Sequence, residues 1–101
     1  MSKYHSKKTM VFGILFDSKR EADHYLILRS RLEAGEISDL HLQVQYACDV
    51  NDEHICYYYA DFTYLEDGDL VIIDTKGFKT PEYRIKKKLV EAIHHIKIME
   101  V

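Results

Sequence analysis

Two β-prone stretches, Tyr57–Leu65 and Leu70–Lys76, dominate the pattern of apolar and polar positions along the chain. The segment between them contains Asp67-Gly68, and Asp-Gly between two such stretches predicts a β-hairpin. In this register Leu65 pairs with Leu70, Thr63 with Ile72, and Asp61 with Asp74. Both faces of the hairpin are apolar enough to be covered, so these two carboxylates are expected at the edge of a packed layer.

Strand alternation predicts that Asp61, Asp74 and Lys76 share one face of the hairpin. Opposed residues on paired strands lie about 5 Å apart, where two carboxylates repel by roughly 3 kcal/mol at an effective dielectric constant near 20. A nearby cation should offset this repulsion. Lys76 can supply part of the charge, and a divalent ion held by oxygen ligands would supply more.

A helix is predicted upstream, with Ser18 as its N-cap and Gly35 as its stop signal. Its buried stripe consists of Glu21, Tyr25, Leu28 and Leu32. Glu21 has two possible roles. It could close a capping box by bonding back to the Ser18 backbone, or it could point toward the hairpin carboxylates.

The remaining segments complete an α-β-β-β-α-β order, which predicts a mixed sheet flanked by helices in the α/β class. Met10–Phe16 is a short edge strand or hairpin, and Leu40–Val50 is a strand that turns back through Asn51-Asp52. Thr80-Pro81 begins the second helix, and Ile96–Val101 is a last strand. The apolar stripe of the second helix is predicted at Ile85, Leu89, Ala92, Ile93 and Ile96.

The 101 residues suffice for one domain with a core, and 47% hydrophobic with 31% charged residues is typical of globular domains. No apolar stretch is long enough to span a membrane, and the N-terminus lacks a signal-peptide core, so an intracellular, cytoplasmic location and no membrane partner are expected. Cys48 and Cys56 flank a turn and could face each other. Small core residues are favoured over a disulfide in this setting, and no zinc-binding spacing is present.

The net charge of −3 argues mildly against a generic nucleic-acid binder, but the cations are clustered. One group lies at the N-terminus and a second around the second helix. They comprise Lys3, Lys7, Lys8, Lys76, Lys79, Arg84, Lys86, Lys87 and Lys88. A solvated helix face with a charged terminal tail explains these clusters equally well.

Taken together, Glu21 in the first helix, Asp61 on one core strand and Asp74-Thr75-Lys76 on the next resemble the PD-(D/E)xK nuclease superfamily. More closely, four segments are similar to small phage-borne endonucleases akin to RecU-type Holliday junction resolvases: Phe16-Asp-Ser-Lys-Arg-Glu-Ala, Gly35-Glu-Ile-Ser-Asp-Leu, Tyr59-Ala-Asp-Phe, and Thr75-Lys-Gly followed by Thr80-Pro-Glu-Tyr. This resemblance implies a restriction-endonuclease-like αβββαβ core at residues 10–101, preceded by a basic arm at residues 1–9.

The resemblance also implies a reaction, the Mg²⁺- or Mn²⁺-dependent cleavage of DNA phosphodiesters. Asp61, Asp74 and the Thr75 carbonyl would hold the metal, and Glu21 would join through a water or a second ion. Lys76 would orient the attacking water or neutralise the phosphate. DNA-backbone contacts are expected from Lys7, Lys8, Lys79, Arg84, Lys86, Lys87 and Lys88.

Three functions follow from these expectations. The favoured one is a structure-selective endonuclease, phage-encoded and acting on Holliday junctions in recombination. It would work as a homodimer, because a four-way junction has two strands to cut, and Met10–Phe16 offers apolar surface for the interface. The alternatives are an endonuclease on flap, damaged or restriction-type duplex DNA, and a non-catalytic nucleic-acid-binding module.

Overall fold

The fold, described by a computed structural model for residues 7–101, is a mixed α+β arrangement of six strands and two helices within that range. The elements in chain order are β1 (Thr9–Val11), β2 (Ile14–Phe16), α1 (Lys19–Glu33), β3 (Ser38–Val50), β4 (Glu53–Glu66), β5 (Asp69–Asp74), α2 (Pro81–His94) and β6 (Ile98–Glu100). The predicted α-β-β-β-α-β order is confirmed from α1 onward.

The main sheet has the strand order β3-β4-β5-β6. The first three strands pair antiparallel, and β6 pairs parallel with β5 after the chain crosses through α2. The strands β1 and β2 form a separate two-stranded hairpin, one of the two forms expected for that segment. Thr9 already belongs to β1, so the proposed basic arm ends before residue 9, and its first six residues lie outside the described range.

Both long hairpins turn through residues with positive φ, as the turn sequences require. Asp67 and Gly68 have φ of +52° and +83°, and Asn51 and Asp52 have φ of +51° and +66°. Such paired values match the twist of the flanking strands. The predicted register is confirmed, because Leu65 pairs with Leu70 and Thr63 with Ile72.

Both helices begin at the predicted caps. The Ser18 hydroxyl accepts a hydrogen bond from the Glu21 backbone N–H at 3.1 Å, and the Thr80 hydroxyl accepts one from the Tyr83 N–H at 3.0 Å. Helix α1 ends before Gly35, whose φ of +77° is costly for other residues. Neither helix in residues 7–101 is long and apolar enough to cross a membrane.

Two apolar clusters form the core. The first joins α1 to one part of the sheet and contains Phe16, Ala22, Tyr25, Leu28, Ile37, Phe62, Tyr64 and Ile73. The second joins α2 to another part and contains Cys48, Tyr58, Ala60, Ile72, Val90 and Ile98. Cys48 and Cys56 are cross-strand partners, as the sequence allowed, and both thiols are free.

The predicted stripe of α2 is wrong at Ile85 and Ala92. Ile85 is 68% exposed and Ala92 is exposed, whereas Val90 is fully buried. The reason is Tyr83, whose side chain packs against the second cluster and donates a hydrogen bond to the Glu100 carboxylate at 2.7 Å. This contact fixes the rotation of the helix and leaves Ile85 facing outward.

Candidate active site

A paired irregularity in β3 and β4 creates the candidate site. Alternate residues of a regular strand point to the same side, yet Ala60 packs in the α2 cluster and Phe62 in the α1 cluster. The neighbouring strand β3 is irregular at the same height in the sheet. Leu42 and Tyr46 would lie on one side of a regular strand, but Leu42 packs against the first cluster and Tyr46 against the second. As a result, the side chain of the intervening Asp61 points toward α1.

Gln43 is the corresponding residue of β3, and its φ is +51°. Its side-chain Nε2 donates hydrogen bonds to Glu21 Oε2 at 3.0 Å and to Asp61 Oδ1 at 3.2 Å. Both carboxylates are at most 7% exposed. One amide therefore holds two buried acidic groups together.

Glu21 takes the second of the two roles that the sequence left open, and its backward bond goes to Asp17 and not to Ser18. Its Oε1 accepts a hydrogen bond from the Asp17 backbone N–H at 3.3 Å, one residue before the expected capping partner. Its Oε2 points to Gln43 and Asp61. Burial, a hydrogen bond with the Asp61 carboxylate and repulsion from it raise the pKa of Glu21 from 4.5 to about 7. Glu21 therefore holds its proton to a higher pH than an ordinary glutamate does.

Asp61 is oriented from its other side by the residue that follows β5. Asp61 Oδ2 accepts hydrogen bonds from the Thr75 backbone N–H at 2.9 Å and from the Thr75 hydroxyl at 3.0 Å. Thr75 is itself buried. The sequence predicted Thr75 as a neighbour of the site through its carbonyl, whereas the structure uses its N–H and hydroxyl to hold a carboxylate.

Asp74 lies next to Asp61 on the adjacent strand, but the two carboxylates bond to different partners. The register is as expected, but the irregularity at Asp61 turns that side chain toward α1. The fully buried Asp74 carboxylate instead accepts hydrogen bonds from the Tyr58 hydroxyl and, at 2.9 Å, from the Asp61 backbone N–H. Burial raises the pKa of Asp74 above its usual range.

An open cleft of about 320 Å³ borders the Glu21–Asp61 pair. Its lining residues are Asp17, Ser18, Arg20, Glu21, Asp61, Thr75, Lys76, Gly77, Phe78 and Thr80. Lys76 lines this cleft as expected, with its Nζ held over the Tyr83 ring at 5.1 Å from the centroid. A second, more apolar hollow of about 170 Å³ lies on the other side of the same pair, between β2 and β3.

The donor chemistry suits a hard divalent cation in part. Glu21 and Asp61 present carboxylate oxygens, and a cation would relieve the repulsion that raises the pKa of Glu21. Within residues 7–101, however, no cluster of three or more His, Cys, Asp or Glu side chains has metal-binding geometry. Asp74 accepts hydrogen bonds from the Tyr58 hydroxyl and the Asp61 backbone N–H.

Most cations expected to bind DNA are paired with carboxylates. Lys79 and Lys87 contact Glu100 Oε1 at 3.3 and 3.5 Å, and Lys86 contacts Glu82 at 3.2 Å. Lys8 lies 3.7 Å from Asp17. Among the described residues, Lys7, Arg84 and Lys88 have no ion pair. The solvated-face interpretation therefore accounts for about half of this predicted set, and the phosphate contacts stay a prediction.

Three neighbours of the carboxylates were not predicted as site residues: Gln43, Arg20 and Tyr58. Gln43 alternates with apolar residues along β3, and polar residues in such a pattern are ordinarily exposed to solvent. A two-residue turn at Asn51-Asp52 would place it opposite Ala60. The register shift between Cys48 and Asp49 moves the pairing of the two strands by one residue, so Gln43 lies at the level of Asp61 instead. Arg20 could have been predicted as a site residue from the sequence, because it directly precedes Glu21 in the first turn of α1.

Comparison with known proteins identifies the family. A family model described as a protein of unknown function, DUF1064, matches residues 1–100. The chain belongs to the DUF1064 family. No match was found among curated proteins or among solved structures. The DUF1064 match covers nearly the whole chain, so the carboxylate pair and the cleft lie within the family's matched region.

Proposed function

We propose that this DUF1064 chain is a metal-dependent DNA endonuclease. The observation that carries the proposal is the buried Glu21–Asp61 pair, which borders a cleft that also contains the cations Arg20 and Lys76. Acidic oxygens next to cationic side chains fit a phosphodiester whose charge must be bound while a water attacks. The sequence resemblance to PD-(D/E)xK nucleases supports the same chemistry.

Each residue around the pair has a defined task in this proposal. Glu21 and Asp61 would hold Mg²⁺ or Mn²⁺, which when bound would stabilise charge on the phosphate and activate a water. Gln43 and Thr75 fix the orientation of the two carboxylates. Lys76 offers an ammonium group to the phosphate, and Tyr83 restricts its position.

Asp74 receives a different role from the one expected. Its carboxylate holds the Asp61 backbone N–H and thereby stabilises the irregularity that directs Asp61 toward the cleft. We therefore place Asp74 as a positioning residue. Its other oxygen accepts a hydrogen bond from the Tyr58 hydroxyl.

Branched DNA, including a four-way junction, is the proposed substrate, and a homodimer is the proposed assembly. The β1–β2 hairpin supports the second point, since Met10, Phe12 and Leu15 are 61%, 66% and 56% exposed. Exposed apolar side chains concentrated on one small hairpin are typical of an interaction surface. Light scattering over a dilution series would test this, and a monomer that makes paired nicks would contradict it.

The cleavage test uses purified protein with four-way junction, flap, duplex and single-stranded DNA, each with Mg²⁺, Mn²⁺ or EDTA. We expect cleavage of a branched substrate with either metal and none with EDTA. Cleavage of flap or plain duplex DNA alone would keep the nuclease and replace its substrate.

A non-catalytic nucleic-acid-binding module is the second candidate, favoured by the engagement of Asp74 with Tyr58. Binding without cleavage under every metal condition would establish this candidate and refute the endonuclease.

A further inference from the structure

The part of β4 that leads to Asp61 carries two exposed aromatic side chains. Tyr57 and Tyr59 are 46% and 50% exposed, whereas Tyr58 between them is 4% exposed and packs in the α2 cluster. Alternation along the strand therefore places Tyr57 and Tyr59 on the side away from α2. Apolar rings of this size are normally buried or in contact with a partner.

This exposed face is continuous with the candidate active site. Asp61 follows Tyr59 by two residues on the same side of β4, about 7 Å along the strand, and Tyr57 lies about 13 Å away. On β3, Gln45 is the cross-strand partner of Tyr59, and Gln43 binds Asp61. A single face thus runs from the tip region of the β3–β4 hairpin to the Glu21–Asp61 pair.

The rings on this face are arranged as a row with polar edges. The ring centroids of His54 and Tyr57 are 4.4 Å apart, and those of Tyr57 and Tyr59 are 6.5 Å apart. Gln45 Nε2 donates a hydrogen bond to the Tyr59 hydroxyl at 2.8 Å, which restricts the orientation of that ring. The row contains no lysine or arginine, so phosphate attraction alone does not suit it.

Aromatic faces can stack on nucleobases, and amide edges can bond to the edges of the bases. Sheets that bind single-stranded nucleic acids use aromatic residues on adjacent positions to stack unpaired bases, and neighbouring amides bond to the base edges. A duplex keeps its bases stacked inside and cannot use such a row. The cationic cleft for the phosphate lies at one end of the row, beside Asp61.

We propose that Tyr57 and Tyr59 form a stacking platform for unpaired nucleotides whose phosphate lies in the cleft of Arg20 and Lys76 beside the Glu21–Asp61 pair. The proposal rests on the proposed function for that phosphate, and it specifies the substrate class as DNA with unpaired bases beside the cut. Flaps, gaps and the open centres of branched DNA all meet this requirement.

The test measures binding in EDTA, so it does not depend on cleavage. Fluorescence anisotropy gives the dissociation constants for a labelled single strand, a gapped duplex and a fully paired duplex. We expect Tyr59→Ala to weaken binding of the single strand and the gapped duplex about tenfold, and the Tyr57→Ala, Tyr59→Ala double variant to weaken it further. Binding of the paired duplex should stay within about twofold of the parent protein.

Two control variants separate stacking from other effects. Tyr59→Phe keeps the ring and should bind nearly as well as the parent. Ile55→Ala removes a 53%-exposed aliphatic side chain from the same strand and should change nothing. Circular dichroism melts of every variant would show that the fold is retained.

The outcomes for the platform and for the nuclease are distinct. Equal losses on paired and unpaired DNA, no loss on either, or a parent protein that binds no DNA in EDTA would overturn the platform. A parent protein that cleaves DNA while the tyrosine variants bind normally refutes the platform and keeps the nuclease. Selective loss of single-strand binding without any cleavage supports the platform and refutes the nuclease.

Discussion

The raised pKa of Glu21 predicts that the metal-free protein loses stability as the pH rises. The pKa is 4.5 in an unperturbed glutamate and about 7 in the fold. Between these values the folded state binds more protons than the unfolded state, so the free energy of unfolding falls as the pH increases. The full stability is present below about pH 4.5, and the loss is complete above pH 7.

The size of the effect follows from the shift. A change from 4.5 to about 7 corresponds to about 3 kcal/mol of destabilisation at pH 8. Glu21→Gln removes the charge but also one acceptor oxygen, and a lost hydrogen bond costs about 1 kcal/mol. We therefore expect Glu21→Gln to be about 2 kcal/mol more stable than the parent at pH 8, and slightly less stable at pH 4.5.

Urea unfolding at half-unit steps from pH 4.5 to 8, in EDTA, measures this directly. Glu33→Gln is the matched control, because Glu33 is an exposed carboxylate on the same helix and pairs only with Arg29 among the described residues. The control should shift stability by less than about 1 kcal/mol at any pH. Parallel profiles for the parent and Glu21→Gln would refute the coupling between Glu21 and Asp61.

Three further predictions concern the residues that support the site. Gln43→Ala removes the amide that bonds to both carboxylates, so DNA cleavage should fall at least tenfold in a single-turnover assay; an unchanged rate would show that Gln43 positions nothing. Tyr58→Phe should lower the free energy of unfolding by about 2 kcal/mol in urea, because a buried carboxylate loses a hydrogen bond; equal stability would contradict the contact. Gly68→Ala should cost about 1 kcal/mol in the same assay, because its φ is +83°, whereas Gly77→Ala, at a position without positive φ, should cost less.

The elements that the sequence predicted are those governed by local chemistry. Asp67-Gly68 determined the turn and therefore the register of β4 and β5. Ser18 and Thr80 determined where the helices begin, because their hydroxyls accept hydrogen bonds from backbone groups three residues away. Such interactions depend on a few neighbouring residues, so pattern analysis finds them.

The direction of Asp61 depends on distant residues and was not predictable in the same way. The register shift near Cys48 and the positive φ of Gln43 together turn Asp61 toward α1. Neither has a distinctive sequence signal, since glutamine is an unusual residue at positive φ. The hydrogen bond between Tyr58 and Asp74 likewise appears only when the two strands are folded.

The rotation of α2 shows a similar limit. Apolar spacing alone favoured a stripe through Ile85, but the Tyr83–Glu100 hydrogen bond anchors a different face. Glu100 also pairs with Lys79 and Lys87, two of the cations expected to contact DNA. Glu100, which follows α2 in the chain, thus affects both which face of the helix packs against the sheet and which nearby lysines form ion pairs.

The most direct test of the central claim is single-turnover cleavage of a four-way junction by Asp61→Asn in Mg²⁺. The account predicts a loss of at least a hundredfold relative to the parent protein, with junction binding in EDTA unchanged or tighter. Asp23→Asn, an exposed carboxylate on α1 that pairs with Lys19, should cleave at the parental rate. Parental cleavage by Asp61→Asn would contradict the account, because the Glu21–Asp61 pair would then not be the site of the reaction.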